Sequence, residues 1–216
     1  MKFDNGISKK YRQSVEEAFQ TILEKGNDEH RRVMKAIIDS DITICVHPVS
    51  MVNASGITGV INPEQTNERI TSERLSLRAA LGEVYITIAK ETIDTGFQRG
   101  CEGTFVHEGR HAFDFAQTIE SFSNLDINPL SLFDPTLYEL EWEAHRVSAE
   151  YLLRMARDEY LQEGVDLMIL NLHEGIHAVS PEGIKRRLRE SYGLIENENQ
   201  GATVSEMFGL VQRYNL

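Results

Sequence analysis

Cysteine is scarce: Cys45 and Cys101 are the two in 216 residues. Two thiols make no disulfide framework, and no C-x-x-C pair occurs, which excludes thiolate zinc modules and thioredoxin-type chemistry. Proline is sparse as well, and no Pro- or Ser-rich linker or low-complexity tract divides the chain. Long apolar runs are missing, so no stretch reads as a bilayer span. The opening MKFDNGISKKYRQSVEEAF lacks the hydrophobic segment of a signal peptide. The expectation is a cytoplasmic protein without a membrane partner, signal-independent export being left open. Positive charge is the minority sign: 22 Lys and Arg against 34 Asp and Glu give a net charge of -12. Nucleic acid is normally met by a basic stripe. The nearest approach to one, Lys185, Arg186, Arg187 and Arg189, reads as the solvated face of a short helix, and no nucleic-acid partner is expected.

What is there is ordinary globular material, 41% hydrophobic and 26% charged. The length suits one domain over 1–216, with a catalytic core over about 80–158 and a helical extension over about 160–216. The first forty residues or so read as helical, with Val15, Phe19 and Ile22 on one apolar face and Val33, Ile37 and Ile38 on the next. ITICVHPV (42–49) reads as a strand, and NASGITGVINPEQTN as a turn-rich piece. A polar, helical stretch then leads to Gly82, and VYITIA (84–89) is the clearest strand. Helices are expected over roughly 101–118, 135–158, 164–179, 181–191 and 203–213. The order is an α+β pattern, a small mixed sheet followed by a mainly helical C-terminal half.

Within TFVHEGRHAF, His107-Glu108-Gly109-Arg110-His111 is an H-E-x-x-H motif. Four residues apart on a helix, both imidazoles share one face and reach a single cation. Glu108 then sits beside a water on that cation as its general base. Phe105, Ala112, Phe113 and Ala116 supply an apolar side, and Arg110, Asp114 and Gln117 an opposite, polar one. Gly109 costs helix propensity and suits a place where backbone comes close to something.

Two histidines need a third protein ligand. In DPTLYELEWEAHRVSAEYLLRMA, Asp134 reads as N-cap and Pro135 as first helical residue. Leu137, Leu140, Ala144, Ser148, Tyr151, Leu152 and Met155 form the inward stripe. Glu139 and Glu143 fall with Arg146, Glu150 and Arg154 on the outer face, where ion pairs account for them. Glu141 lies on the stripe itself, and a buried carboxylate needs a partner such as a cation. His145, four residues on, has two readings: a group acting in catalysis or beside the ligands, and a hydrogen-bonded core histidine.

These residues resemble the zincin metallopeptidases whose third ligand is a glutamate on a second helix, the gluzincin type. HEGRH at 107–111 and Glu141-Trp142-Glu143-Ala144-His145 match its two motifs, with His145 where that family has an aspartate. The resemblance covers roughly residues 80–158. It implies one zinc ion per chain held by His107, His111 and Glu141, with Glu108 as base and a peptide or protein as substrate. It also implies an edge strand upstream of the motif helix for substrate to pair with, and VYITIA looks like that strand. Similar compact modules occur among bacterial toxins and effectors.

A second H-E-x-x-H, His173-Glu174-Gly175-Ile176-His177, stands within ILNLHEGIHAVSP. Ser180-Pro181 ends its helix within a turn, and no later glutamate lies on an apolar face as Glu141 does. It reads as structural, as a second metal site, or as donor of one histidine to the first. The candidates for oxyanion stabilisation, and so for a further catalytic residue beside Glu108, are His145, Tyr151 and His177. The competing readings are a non-peptidase zinc amidohydrolase, a catalytically silent metal-stabilised binding module, and a metal-free helical interaction protein. A deformylase-like cysteine ligand is excluded, because Cys101 is only six residues before His107 on one helical segment.

Overall fold

The computed structural model describes residues 1–210, and the side chains of all of these except 96–100. In chain order the principal elements are β1 (Lys2–Phe3), α1 (Lys9–Lys25), α2 (Asp28–Ile38), β2 (Thr43–His47), α3 (Val49–Val52) and β3 (Gly56–Val60). There follow α4 (Pro63–Ser72), α5 (Leu77–Leu81), β4 (Val84–Ala89), α6 (Lys90–Ser123), α7 (Leu137–Met155) and α8 (Asp158–Asp166). The chain then forms β5 (Leu170–His173), β6 (Ile176–Val179), α9 (Pro181–Arg187), a π-helical turn (Leu188–Tyr192) and α10 (Val204–Phe208). The class is α+β as the sequence predicts, with a mixed four-stranded sheet in the order β1-β2-β4-β3 and a separate β5-β6 hairpin.

The apolar run VYITIA explains where its strand lies. Val84, Ile86 and Ile88 are inaccessible on one face, and Thr87 and Ala89 are buried on the other. A strand covered on both sides belongs inside a sheet. β4 accordingly pairs in parallel with β2 and antiparallel with β3, so the expectation that VYITIA is an edge strand is corrected. The edges are β1 and β3; β3, drawn from the segment read as turn-rich, is the one next to β4 and lies alongside α6.

The helix carrying the first motif starts at Lys90, well before the predicted 101, and stays helical through Gly96, Gly100 and Gly103. It is also buried on nearly every side, packing on α1, α2, α5, α7, β3 and β4. Gly109 lets α2 cross closely: a Cβ there would meet Met34 Cε at 2.6 Å and Ile37 Cδ1 at 3.3 Å. Asp114, expected on a polar outer side with Arg110, is 2% exposed. The pair is satisfied internally, Arg110 donating to Asp114 at 2.8 and 2.9 Å and to Glu29 of α2 at 2.6 Å.

The predicted helix over 164–179 is replaced by the end of α8 and the hairpin β5-β6. Glu174 and Gly175 both have positive φ, 51° and 79°, which makes the middle of the second motif a two-residue hairpin turn. A motif spacing that aligns two histidines on a helix therefore has no helix under it. Of the predicted 203–213 helix, α10 covers Val204–Phe208, and 211–213 lie outside the described residues. None of the described helices is long and apolar enough to cross a membrane.

Candidate metal centre

Two helices bring the site together: α6 contributes His107, Glu108 and His111, and α7 contributes Glu141 and His145. The start of α7 is fixed by Thr136, whose hydroxyl accepts from Glu139 N while Glu139 Oε2 accepts from Thr136 N at 2.8 Å. This capping box satisfies two end donors at once and displaces the cap predicted at Asp134. Asp134 instead accepts from the Ser205 amide and hydroxyl at 3.0 and 2.6 Å, tying down α10. The register between α6 and α7 is set by charge: Glu29 accepts from both Arg110 and Arg146, and Arg146 also reaches Glu143 and Glu150. Glu143, Arg146 and Glu150 thus form the ion pairs the sequence predicts, whereas Glu139 serves the cap.

Glu141 is 9% exposed, and its Oε2 makes no hydrogen bond among the described residues. It faces three imidazoles: His107 Nε2 at 3.4 Å and His145 Nε2 at 3.7 Å from Oε2, and His111 Nε2 at 3.5 Å from Oε1. His107 Nε2 and His111 Nε2 are 3.1 Å apart. His107, Glu141 and His145 form a buried cluster whose ligand atoms all lie within 4.8 Å of one another, capable of coordinating a metal ion. A buried carboxylate oxygen without a hydrogen bond, converged on by imidazole nitrogens, is a donor set that fits a zinc-like cation.

The electrostatics follow from burial and proximity. Burial favours the neutral ring of His111, but Glu141 and Glu108 outweigh it and push its pKa up to about 9. Burial works to raise Glu141, yet the neighbouring His111 and His107 hold it well below the usual carboxylate range. His145 goes the other way, pushed down to about 2 by burial first and by the charge of His107 second. His111 Nδ1 is buried without a hydrogen bond among the described residues, so this ring lacks the outer partner that metal-binding histidines usually have.

Around the cluster lies a cleft of about 370 Å³, lined among others by Gly56, Thr104, His107, Glu108, His145, Arg187 and Tyr192. Edge strand β3 forms one wall. Thr58 Oγ1 donates towards Glu108, 2.8 Å from its Oε2 and 3.0 Å from its carbonyl oxygen. A Cβ on Gly56 would meet Thr104 Cγ2 at 2.6 Å and Glu108 Cγ at 2.8 Å, so only glycine leaves Glu108 in place. On the other side, Arg187 Nε donates to His145 Nε2 at 3.3 Å, and Tyr192 Oη lies 3.4 Å from the same nitrogen. Burial, then Glu141, raise the Tyr192 pKa and keep the phenol protonated.

Several expectations need correction. Tyr151 does not reach the cleft: it is inaccessible, donating to Glu102 Oε2 at 2.6 Å, and Tyr160 donates to the same oxygen at 2.8 Å. His173 and His177 flank the β5-β6 turn, away from the cleft lining, and gather no third ligand among the described residues. Arg187 is no solvated surface charge but a half-buried wall of the cleft. Sequence reasoning missed Thr58 and Tyr192 altogether. Thr58 carried a weak signal, a Gly-x-Thr-Gly stretch in which glycine permits close approach. Arg187 and Tyr192 carried none, because the π turn brings together positions five apart, which on an α-helix diverge by about 140°. No protein-family model, curated protein or solved structure matches the chain, so the chemistry of the His107–Glu141–His145 cluster rests on its own geometry.

Proposed function

We propose that the chain is a zinc-dependent hydrolase, a metallopeptidase, with His107, His111 and Glu141 as ligands and Glu108 as general base. The observation that carries this reading is the spacing of three ligand atoms. His107 Nε2, His111 Nε2 and Glu141 stand 3.1, 3.4 and 3.5 Å apart. Atoms bound tetrahedrally to zinc stand about 3.3–3.4 Å apart. His145 fits the ligand shell less well, since its Nε2 accepts from Arg187 and is 3.7 Å from Glu141. It acts from beside the ligands, aligning Arg187 and Tyr192.

Zinc held there by His107, His111 and Glu141 would supply Lewis acidity, able to activate a water near neutral pH and to polarise a carbonyl. Glu108, aligned by the Thr58 hydroxyl, takes the proton of the attacking water and passes it to the leaving amine. Because His145 Nε2 is an acceptor, donation to the developing oxyanion falls to Tyr192, whose hydroxyl shares that wall. The free edge of β3 beside Glu108 suits an extended peptide that adds as a further strand, which favours peptides over small amides.

The test is zinc per chain by elemental analysis, with hydrolysis of a peptide library, in wild type and in Glu141→Ala, His111→Ala, His145→Ala and Glu108→Gln. The reading expects about one zinc, lost in the first two variants and kept in the last two, with hydrolysis abolished in Glu108→Gln. Zinc retained by Glu108→Gln, with no hydrolysis by any form, would favour a metal-stabilised binding module. Zinc lost in His145→Ala but kept in His111→Ala would replace the third ligand.

A further inference from the structure

Among the described residues, the half-buried arginines are matched by carboxylates, with one exception. Arg31 pairs with Asp28, Arg69 with Glu73 and Glu83, Arg110 with Glu29 and Asp114, and Arg146 with Glu29, Glu143 and Glu150. Arg187 has no carboxylate within ion-pair distance among the described residues, although it is half-buried like them. Its neighbour Lys185 is matched, reaching Glu196 at 2.7 Å.

We infer that Arg187 is the recognition group for a carboxylate of the substrate. Its Nε is committed to His145 at 3.3 Å, which fixes the plane of the guanidinium and leaves the two terminal nitrogens for a ligand. That fork matches the two oxygens of a carboxylate. The wall it shares holds a second unused polar group: Ser148, 6% exposed, has a hydroxyl without a hydrogen-bond partner among the described residues. The carboxylate has two sources, an acidic side chain near the scissile bond and the C-terminus of the peptide, and the same fork receives either.

The identity of the ligand as a substrate rests on the metallopeptidase reading, so the test reads binding separately from turnover. Zinc-treated Glu108→Gln protein is titrated calorimetrically with three acetylated tripeptides. These are Ala-Glu-Ala amide, Ala-Ala-Ala with a free C-terminus, and neutral Ala-Gln-Ala amide. The expected result is that one carboxylate peptide or both bind roughly tenfold more tightly than the neutral one. The tighter of the two names the source. In Glu108→Gln/Arg187→Gln the preference disappears, and in Glu108→Gln/Arg187→Lys it persists in weakened form, with zinc content unchanged as the control for folding. No preference, whether from equal affinities or from absence of binding, overturns the inference, as does a preference that survives Arg187→Gln. An Arg187-dependent preference in a protein that binds no zinc and hydrolyses nothing would sustain the carboxylate site and refute the metallopeptidase reading.

Discussion

On the metallopeptidase reading, raising the pH from 7 to 9 is expected to strengthen zinc binding by the metal-free protein about fiftyfold. The perturbation acts on His111, whose ring stands 3.5 Å from Glu141 and whose pKa is pushed up to about 9 despite its burial. A histidine must lose that proton to bind metal. At pH 7 the ring is two units below its pKa, so the competent form is roughly one part in a hundred, and the gap closes as pH approaches 9. The metal-free fold responds oppositely. A raised folded-state pKa gives stability fully present below the unfolded value of 6.5 and lost as pH rises through about 9, roughly 3 kcal/mol over the interval. The assay is competition against a chelator of known proton affinities at half-unit steps. Calorimetry in buffers of different ionisation enthalpy adds the count of protons released, expected near one at pH 7. Zinc affinity that is flat between pH 7 and 9, with no proton released, would refute the reasoning. It would mean that His111 holds no proton or is not a ligand.

Other outcomes follow from the same geometry. Gly56→Ala pushes a methyl into Glu108 and Thr104, costing about 1–3 kcal/mol of stability and lowering peptide turnover at least tenfold or so with zinc content intact; unchanged turnover would dissociate β3 from the base. His173→Ala and His177→Ala, both at the hairpin turn, leave zinc content unaltered and change stability by less than about 0.5 kcal/mol, and loss of zinc in either would reinstate the second motif. His30 has its pKa lowered by burial, and it is neutral in the fold: its Nδ1 accepts from Asn27 N at 3.0 Å and its Nε2 faces Val147 O at 3.0 Å. A depressed folded-state pKa gives stability present above 6.5 and lost as pH falls towards the folded value. Thermal melts should therefore show this contribution as a decline below pH 6.5 that is missing in His30→Gln.

The residues that hold chemistry were more legible than the surfaces around them. Glu141 could be picked from three glutamates because a carboxylate on an apolar stripe has no solvent to face, and the structure buries it among the histidines. VYITIA was recognisable as a strand, yet its unbroken apolar character also marked it as interior, a distinction that reading it as an edge overlooked. Arg110 and Asp114 looked solvent-facing because helical periodicity sorts residues by polarity alone. It cannot register a charge from another helix, and Glu29 is 81 residues away from Arg110 in the chain. The hairpin at 170–179 carried a faint signal in the Glu174-Gly175 turn, outweighed by histidines spaced as on a helix. Arg187 and Tyr192 depend on a π turn, and widened turns leave no periodic trace.

α2 holds together the two helices that form the candidate metal centre. Glu29 grips an arginine on each ligand-bearing helix, Met34 lies over Gly109, and His30 meets the backbone of α7 at Val147. None of these atoms touches the cluster, yet each holds α6 and α7 at the separation that the cluster requires. If the centre takes a metal as proposed, ordering of α2 and loading of that metal are linked equilibria, and the linkage is reciprocal. On the metallopeptidase reading, zinc is expected to slow hydrogen exchange in an N-terminal helix that contributes no ligand, and loosening that helix to weaken zinc by the same factor. The N-terminal helical pair thus acts as a scaffold whose integrity is read out at a site it never contacts.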